Sequence, residues 1–184
     1  MTQSIRRGMY RKIAAAGFLL VGIMTATECE ASDDLLSFVS TYQCSVAGLI
    51  ARIHAHRGGD DRYLILAPWN DRGSYVQCLL GDHDRQALCE AASGWWAGRG
   101  QAPMLGPAQK GALARLGYSM DASRGNYQKR LRFGSELDME GVADLMLRSL
   151  YAGYGVRLEN TIEVQAPYAF RHGTLPRDRC PAIS

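Results

Sequence analysis

The sequence predicts an α+β protein in which helices pack on one antiparallel sheet. Several segments carry apolar residues at the three- and four-residue spacing of a helix, and others are short apolar or alternating runs bounded by turn residues. The strands do not alternate regularly with helices, which argues against a doubly wound parallel sheet. The predicted order is α-β-β-α-α-β-α, followed by a C-terminal tail. Of the 184 residues, 47% are hydrophobic and 21% are charged, a composition that excludes wholesale disorder.

The N-terminal segment has the pattern of a secretory signal peptide. Its first 12 residues hold four basic side chains and no acid, and residues 13–24 form an apolar run that is too short to span a bilayer, which takes roughly 20 residues. We expect residues 1–31 to be the signal peptide, with cleavage after Ala31. An N-terminal anchor that is not cleaved is the alternative. Glu28, directly before Cys29, disfavours a lipoprotein signal.

Removal of the signal peptide changes both the net charge and the number of cysteines in the chain. Cleavage removes four of the 21 basic and two of the 18 acidic residues, which leaves a formal charge of +1 and no electrostatic footprint for nucleic acid. It also leaves four cysteines, Cys44, Cys78, Cys89 and Cys180, without a CxxC motif for zinc. In an oxidising compartment four cysteines predict disulfides in one of three connectivities, with free buried thiols as the alternative. We therefore expect a periplasmic or secreted protein whose mature chain has no stable membrane insertion.

The first part of the mature chain predicts a helix and a hairpin. Apolar spacing indicates a helix from Asp33 or Asp34 to about His54. Residues 63–67 and 74–80 are strand-like and are joined by a turn rich in Asn, Asp and Gly, which predicts a β-hairpin. Because both faces of these strands carry apolar side chains, we expect them to be central in the sheet.

Two helices are predicted next. Asp82 or Asp84 is placed to cap a helix over residues 85–96, and Pro107 marks the first turn of a second helix that ends at Gly117.

The remaining elements are a half-exposed strand, a helix and the tail. Residues 126–133 alternate, with Gln128, Arg130 and Arg132 on the exposed face. Ser135 and Asp138 resemble a capping box for a helix over residues 137–152. Residues 162–165 are compatible with one more strand. The domain assignment is the signal peptide at 1–31, an α+β domain at 32–160 and the tail at 161–184.

Few residues in this sequence point to chemistry. His54 and His56 point apart on a helix, and we expect no metal site and no cofactor. The nucleophile and base with the closest spacing are Cys89 and His83, six positions apart. Trp95 and Trp96 are adjacent, so on a helix one faces the core while the other is left for a ligand, although core packing also explains such a pair.

A series of landmarks resembles the TY-Chap domain family, which is YbjN-like and related to the type III secretion chaperones. The landmarks are Tyr75-Val76-Gln77, the segment from Glu90 to Trp95-Trp96, Gln109, Leu113-Ala-Arg-Leu116-Gly117-Tyr118, Asn126-Tyr127 and the helix over 142–151. The resemblance covers roughly residues 33–158. It implies helices on an antiparallel sheet, non-catalytic binding of a polypeptide and, commonly, a homodimer. The signal peptide, the four mature cysteines and the tail are departures from that family.

The function predicted from the sequence is therefore that of an exported, non-enzymatic module that binds a peptide or protein segment. The candidate binding residues are Trp95, Trp96, Tyr118, Arg130 and Arg132. A small periplasmic hydrolase that uses Cys89 and His83 is one alternative. A structural envelope protein anchored through its tail is the other.

Overall fold

The computed structural model describes residues 26–56, 61–69, 71, 73–81, 85–94, 105–121, 125–133, 137–167 and 170–177. Within them the chain forms three helices and six strands. In chain order these are α1 (Ala26–Ala55), β1 (Tyr63–Pro68), β2 (Val76–Leu80), β3 (Gln86–Ala91), α2 (Pro107–Arg115), β4 (Tyr127–Arg132), α3 (Met139–Tyr154), β5 (Ile162–Ala166) and β6 (Phe170–Thr174).

The six strands form one sheet in the order β4-β3-β2-β1-β5-β6, and every neighbouring pair is antiparallel. The hairpin of β1 and β2 is confirmed, with Tyr63 opposite Leu79 and Leu66 opposite Val76. Both strands are central, as their two-sided apolar pattern predicts. The α+β class with an antiparallel sheet is thereby confirmed.

The helices form a layer on one face of the sheet. Helices α1 and α3 pack side by side, α3 lies over β1 and β2, and α2 packs on α3. Alternate strand residues point into this layer and are buried. The core joins them to the apolar sides of α1 and α3, with Phe38, Tyr42, Leu64, Leu66, Leu113, Met146, Leu150 and Ile162 among its largest members.

The helix predicted over residues 85–96 is wrong in its described part, because residues Gln86–Ala91 form strand β3. Ala87, Cys89 and Ala91 are buried, and the residues between them are exposed or half-buried, which is the two-residue period of a strand. The prediction was wrong because alanine is a strong helix former. In the fold the side chains of Ala87, Cys89 and Ala91 are buried in the core, so tertiary packing overrides local propensity.

The other helices agree with their predicted positions within a few residues, except at one end. Helix α2 begins at Pro107, and Gly117 adopts a left-handed φ of 88° just beyond its end. Asp138 caps α3 by accepting a hydrogen bond from the Gly141 amide at 2.8 Å, whereas Ser135 lies outside the described residues. Helix α1 begins at Ala26, seven residues before the predicted start at Asp33, because nothing in the intervening sequence breaks a helix.

The segment predicted as a tail contributes two strands to the sheet. Strand β5 pairs with the central strand β1, and β6 pairs with β5. Ile162, Val164 and Ala166 alternate into the core, and the Leu175 amide donates a hydrogen bond to the Ile162 carbonyl at 2.8 Å. The fold therefore extends at least to residue 175. Deletion of residues 161–184 would therefore remove two strands of the sheet.

A disulfide links the neighbouring strands β2 and β3. Cys78 and Cys89 face each other in the register, both are buried, and their Cα atoms are 4.0 Å apart. Cys44 is also disulfide-bonded, and Cys180 lies outside the described residues. At least one disulfide among the four predicted cysteines is therefore confirmed. A buried disulfide is typical of proteins that fold in an oxidising environment.

Candidate functional site

The face of the sheet opposite the helices is the candidate functional surface, which we call the open face. Where the chain is described, no helix packs on it. The register places Tyr63, Leu79, Leu88 and Arg130 side by side across β1, β2, β3 and β4. Leu79 is 39% exposed, one of the most exposed large apolar side chains in the described chain. This apolar row ends at the cationic side chain of Arg130.

A polar row lies beside the apolar row. It crosses the same four strands through Gln128, Glu90 and Gln77, and it ends at the apolar side chain of Ile65 on β1. The Glu90 carboxylate accepts a hydrogen bond from the Gln128 side-chain amide at 2.7 Å and another from the Gln77 amide. These bonds fix three planar side chains across β2, β3 and β4, so this part of the open face is rigid before any ligand binds.

Strand β4 is an edge of the sheet, and one isolated bridge covers part of it. The Ser119 amide donates to the Gln128 carbonyl at 2.7 Å from the side away from β3. Because backbone groups alternate in direction along an antiparallel strand, Arg130 and Arg132 also direct their amides and carbonyls to this outer edge. Within the described residues no other backbone group bonds to the edge beside Arg130 and Arg132, so there it offers hydrogen-bonding groups to an added strand.

The charge at this edge comes from Arg130 and Arg132. Both side chains are exposed on the open face, as the alternation predicts. Lys129 points to the opposite side, where its ammonium donates to the Leu116 carbonyl at 2.7 Å and so ties β4 to the end of α2. An anionic segment that runs along β4 would thus meet two arginine side chains on the same face of the strand.

Tyr118 is placed differently from the two arginines. It is buried, with 4% of its surface exposed, and its hydroxyl shares a hydrogen bond of 3.0 Å with the Ser149 hydroxyl of α3. Burial raises the pKa of Tyr118 to about 12. Burial likewise raises the pKa of Tyr154, whose hydroxyl donates to the Ala92 carbonyl at 2.8 Å. The first bond joins the end of α2 to α3, and the second joins α3 to the end of β3. Trp95 and Trp96 lie outside the described residues.

The cysteine proposed as the nucleophile of a hydrolase is not available as a thiol. Cys89 is fully buried and bonded to Cys78, so it has no thiol to ionise. Its proposed base, His83, lies outside the described residues. Among the described residues, no group of three or more His, Cys, Asp or Glu side chains is arranged to hold a metal ion. In that same part of the chain, no helix combines the length and the apolarity that crossing a membrane requires.

Comparisons of the chain with models of known protein families, with curated proteins and with solved structures found no match. Any function is therefore argued from the geometry of the chain itself.

The sequence does not predict that Tyr63, Leu79 and Leu88 form one surface. The helix predicted over residues 85–96 includes Leu88 and so separates it from the strands that carry the other two residues. The available signal was the alternation of polar or large residues with Ala and Cys over residues 86–91.

Proposed function

We propose that this protein is an exported, non-enzymatic module that binds an extended polypeptide along β4 and the adjoining open face. The observation that carries the proposal is the outer edge of β4, where backbone groups that face away from β3 lie beside the exposed side chains of Arg130 and Arg132. Main-chain hydrogen bonds to the edge would supply affinity, and contacts of alternate side chains with the open face would supply specificity.

The charge of the edge selects the ligand. Arg130 and Arg132 project from the same face of β4, one pleat apart, so they match a strand that carries acidic residues at every second position. Exposed ion pairs contribute little affinity individually, but opposite charge guides encounter and fixes the register.

The compartment follows from the predicted signal and from the disulfide chemistry. The buried Cys78–Cys89 bond supports an oxidising environment, and the N-terminal pattern adds a periplasmic or secreted location. N-terminal sequencing of the exported protein is expected to begin at Ser32. A mature protein that still begins at Met1 would contradict cleavage.

The proposed function is tested with two fluorescein-labelled ten-residue peptides, one alternating Val with Glu and one alternating Val with Lys. Fluorescence anisotropy with the exported protein is expected to show binding of the Val–Glu peptide and much weaker binding of the Val–Lys peptide. Reversal of both charges, Arg130→Glu with Arg132→Glu, is expected to weaken Val–Glu binding about tenfold or more.

Arg115→Glu is the matched control, because Arg115 is an exposed arginine at the end of α2 in the helix layer. This substitution changes the net charge by the same amount as each of the two β4 substitutions, but at a position away from the open face. Equal weakening by Arg115→Glu would show that net charge rather than the β4 edge governs binding. Absence of binding by both peptides would contradict the proposed function.

A further inference from the structure

Cys44 of α1 is disulfide-bonded, and its partner can be identified by elimination. Cys78 and Cys89 are bonded to each other, which leaves Cys29 and Cys180. Cys29 lies on the same helix as Cys44, 15 residues earlier, which corresponds to about 22 Å along the axis at 1.5 Å per residue. A disulfide requires Cα atoms closer than about 7 Å, so Cys29 of the same chain is excluded.

The chain leading to Cys180 approaches α1 close to Cys44. After β6, the Arg177 guanidinium donates through Nε to the Tyr42 hydroxyl at 3.0 Å, and through Nη2 to the Leu158 carbonyl. Tyr42 is two positions from Cys44 on α1. Arg177 is three positions from Cys180, and three residues reach about 10 Å when extended. The chain that leads to Cys180 is therefore held beside the part of α1 that carries Cys44.

We propose that Cys44 and Cys180 form a second disulfide, which fastens the chain after β6 to the middle of α1. Its formation joins the two sulfurs and transfers two electrons and two protons to the disulfide of a thiol oxidoreductase or of a small-molecule oxidant, which leaves as two thiols. With Cys78–Cys89, this bond accounts for all four cysteines that follow the predicted cleavage site.

The second disulfide would distinguish the two edges of the sheet. Strand β6 forms the edge opposite β4. With the chain after it bonded to α1, β6 is held at both ends and resists displacement, whereas β4 keeps its outer backbone groups available. This inference stands on the cysteines and on Arg177, and it holds whether or not β4 binds a peptide.

Tryptic mapping under non-reducing conditions tests the bond directly, because the four cysteines fall in four different tryptic peptides. Cys44 lies in the peptide that ends at Arg52, Cys78 in 73–85, Cys89 in 86–99 and Cys180 in 180–184. The exported protein is denatured, alkylated without reductant and digested. We expect 180–184 to be linked to the peptide that ends at Arg52, and 73–85 to be linked to 86–99. Recovery of 180–184 as an alkylated free peptide, or linked to any other peptide, would overturn the proposal.

A variant gives an independent readout that does not need peptide mapping. Cys180→Ser is expected to convert a protein with no alkylatable thiol under denaturing, non-reducing conditions into one with a single thiol, located on Cys44. The paired substitution Cys78→Ala with Cys89→Ala is the control, and it is expected to expose no thiol. An unchanged thiol count in Cys180→Ser would show that Cys44 does not depend on Cys180, whatever the outcome of the peptide-binding assay.

Discussion

Gly153 of α3 lies directly against Leu113 of α2, and a methyl group at Gly153 would be 2.9 Å from Leu113 Cδ2. Leu113 is fully buried, so its side chain has little room to move away. The contact explains why the last turn of α3 carries a residue with poor helix propensity. The absence of a side chain at Gly153 sets the distance between the two helices.

Gly153→Ala is therefore expected to destabilise the fold by about 1–3 kcal/mol through overpacking. Gly48→Ala is the matched control, because Gly48 is in the interior of α1 with no atom within 4 Å of an added Cβ. The control is expected to stabilise by about 0.5–1 kcal/mol through helix propensity alone. Urea unfolding of both variants measures the difference. A stabilising Gly153→Ala would show that α2 can move away from α3.

Loss of the Cys78–Cys89 bond is expected to cost about 3 kcal/mol, since the bond closes a short loop with a sequence separation of 11. The paired variant Cys78→Ala with Cys89→Ala, compared with the wild-type protein by urea unfolding, measures this cost. Both sulfurs are buried, so reductant is expected to reach the bond only after the fold opens. Rapid reduction of the folded protein at this bond would contradict that expectation.

Alkaline pH is expected to destabilise the protein through Tyr118. Its pKa rises from 10.0 in the unfolded chain to about 12 in the fold, so the unfolded state loses its proton first. The stabilisation is fully present below pH 10 and is lost as the pH rises towards 12, with a slope of about 1.4 kcal/mol per pH unit. Tyr118→Phe is expected to reduce the dependence of the unfolding free energy on pH by that slope. Equal slopes in the two proteins would show that Tyr118 ionises as easily folded as unfolded.

Leu79→Ser tests whether the peptide stays at the edge of the sheet. Leu79 is partly exposed on the open face, so the substitution is expected to change the unfolding free energy by about 1 kcal/mol or less. A strand added outside β4 lies about 14 Å from β2, so binding of the Val–Glu peptide is expected to change by less than about twofold. Leu36→Ser, at an exposed leucine of α1, is the control and is likewise expected to leave binding unchanged. A tenfold loss of binding in Leu79→Ser alone would place the peptide across the open face instead of along the β4 edge.

The residue types in each element decide whether it could be predicted from the sequence. The β1–β2 hairpin, α2 and β4 were predictable because turn residues, Pro107 with Gly117 and a clear alternation mark them. Strand β3 was not, because two of its three buried positions are alanine, which local propensity assigns to a helix.

The candidate site was predictable only where it depends on one strand. Alternation alone placed Arg130 and Arg132 on an exposed face. The row of Tyr63, Leu79 and Leu88 depends on the pairing of three strands, and pairing is a tertiary property that periodicity does not contain. Tyr118 was predicted to line a groove, and its burial against Ser149 depends on the packing of α3. The roles of Trp95 and Trp96 stay predictions.

The pairing of β1 with β5 has a consequence for the order of folding. Ile65 is paired with Gln77 on one side, 12 residues later, and with Gln165 on the other, 100 residues later. Contacts so distant in the chain form late, because closing the intervening loop costs entropy before the pairing is made. We expect the side of β1 that faces β5 to stay unpaired until residue 166 is available, so a chain that emerges from its N-terminus cannot complete its core before β5 has emerged.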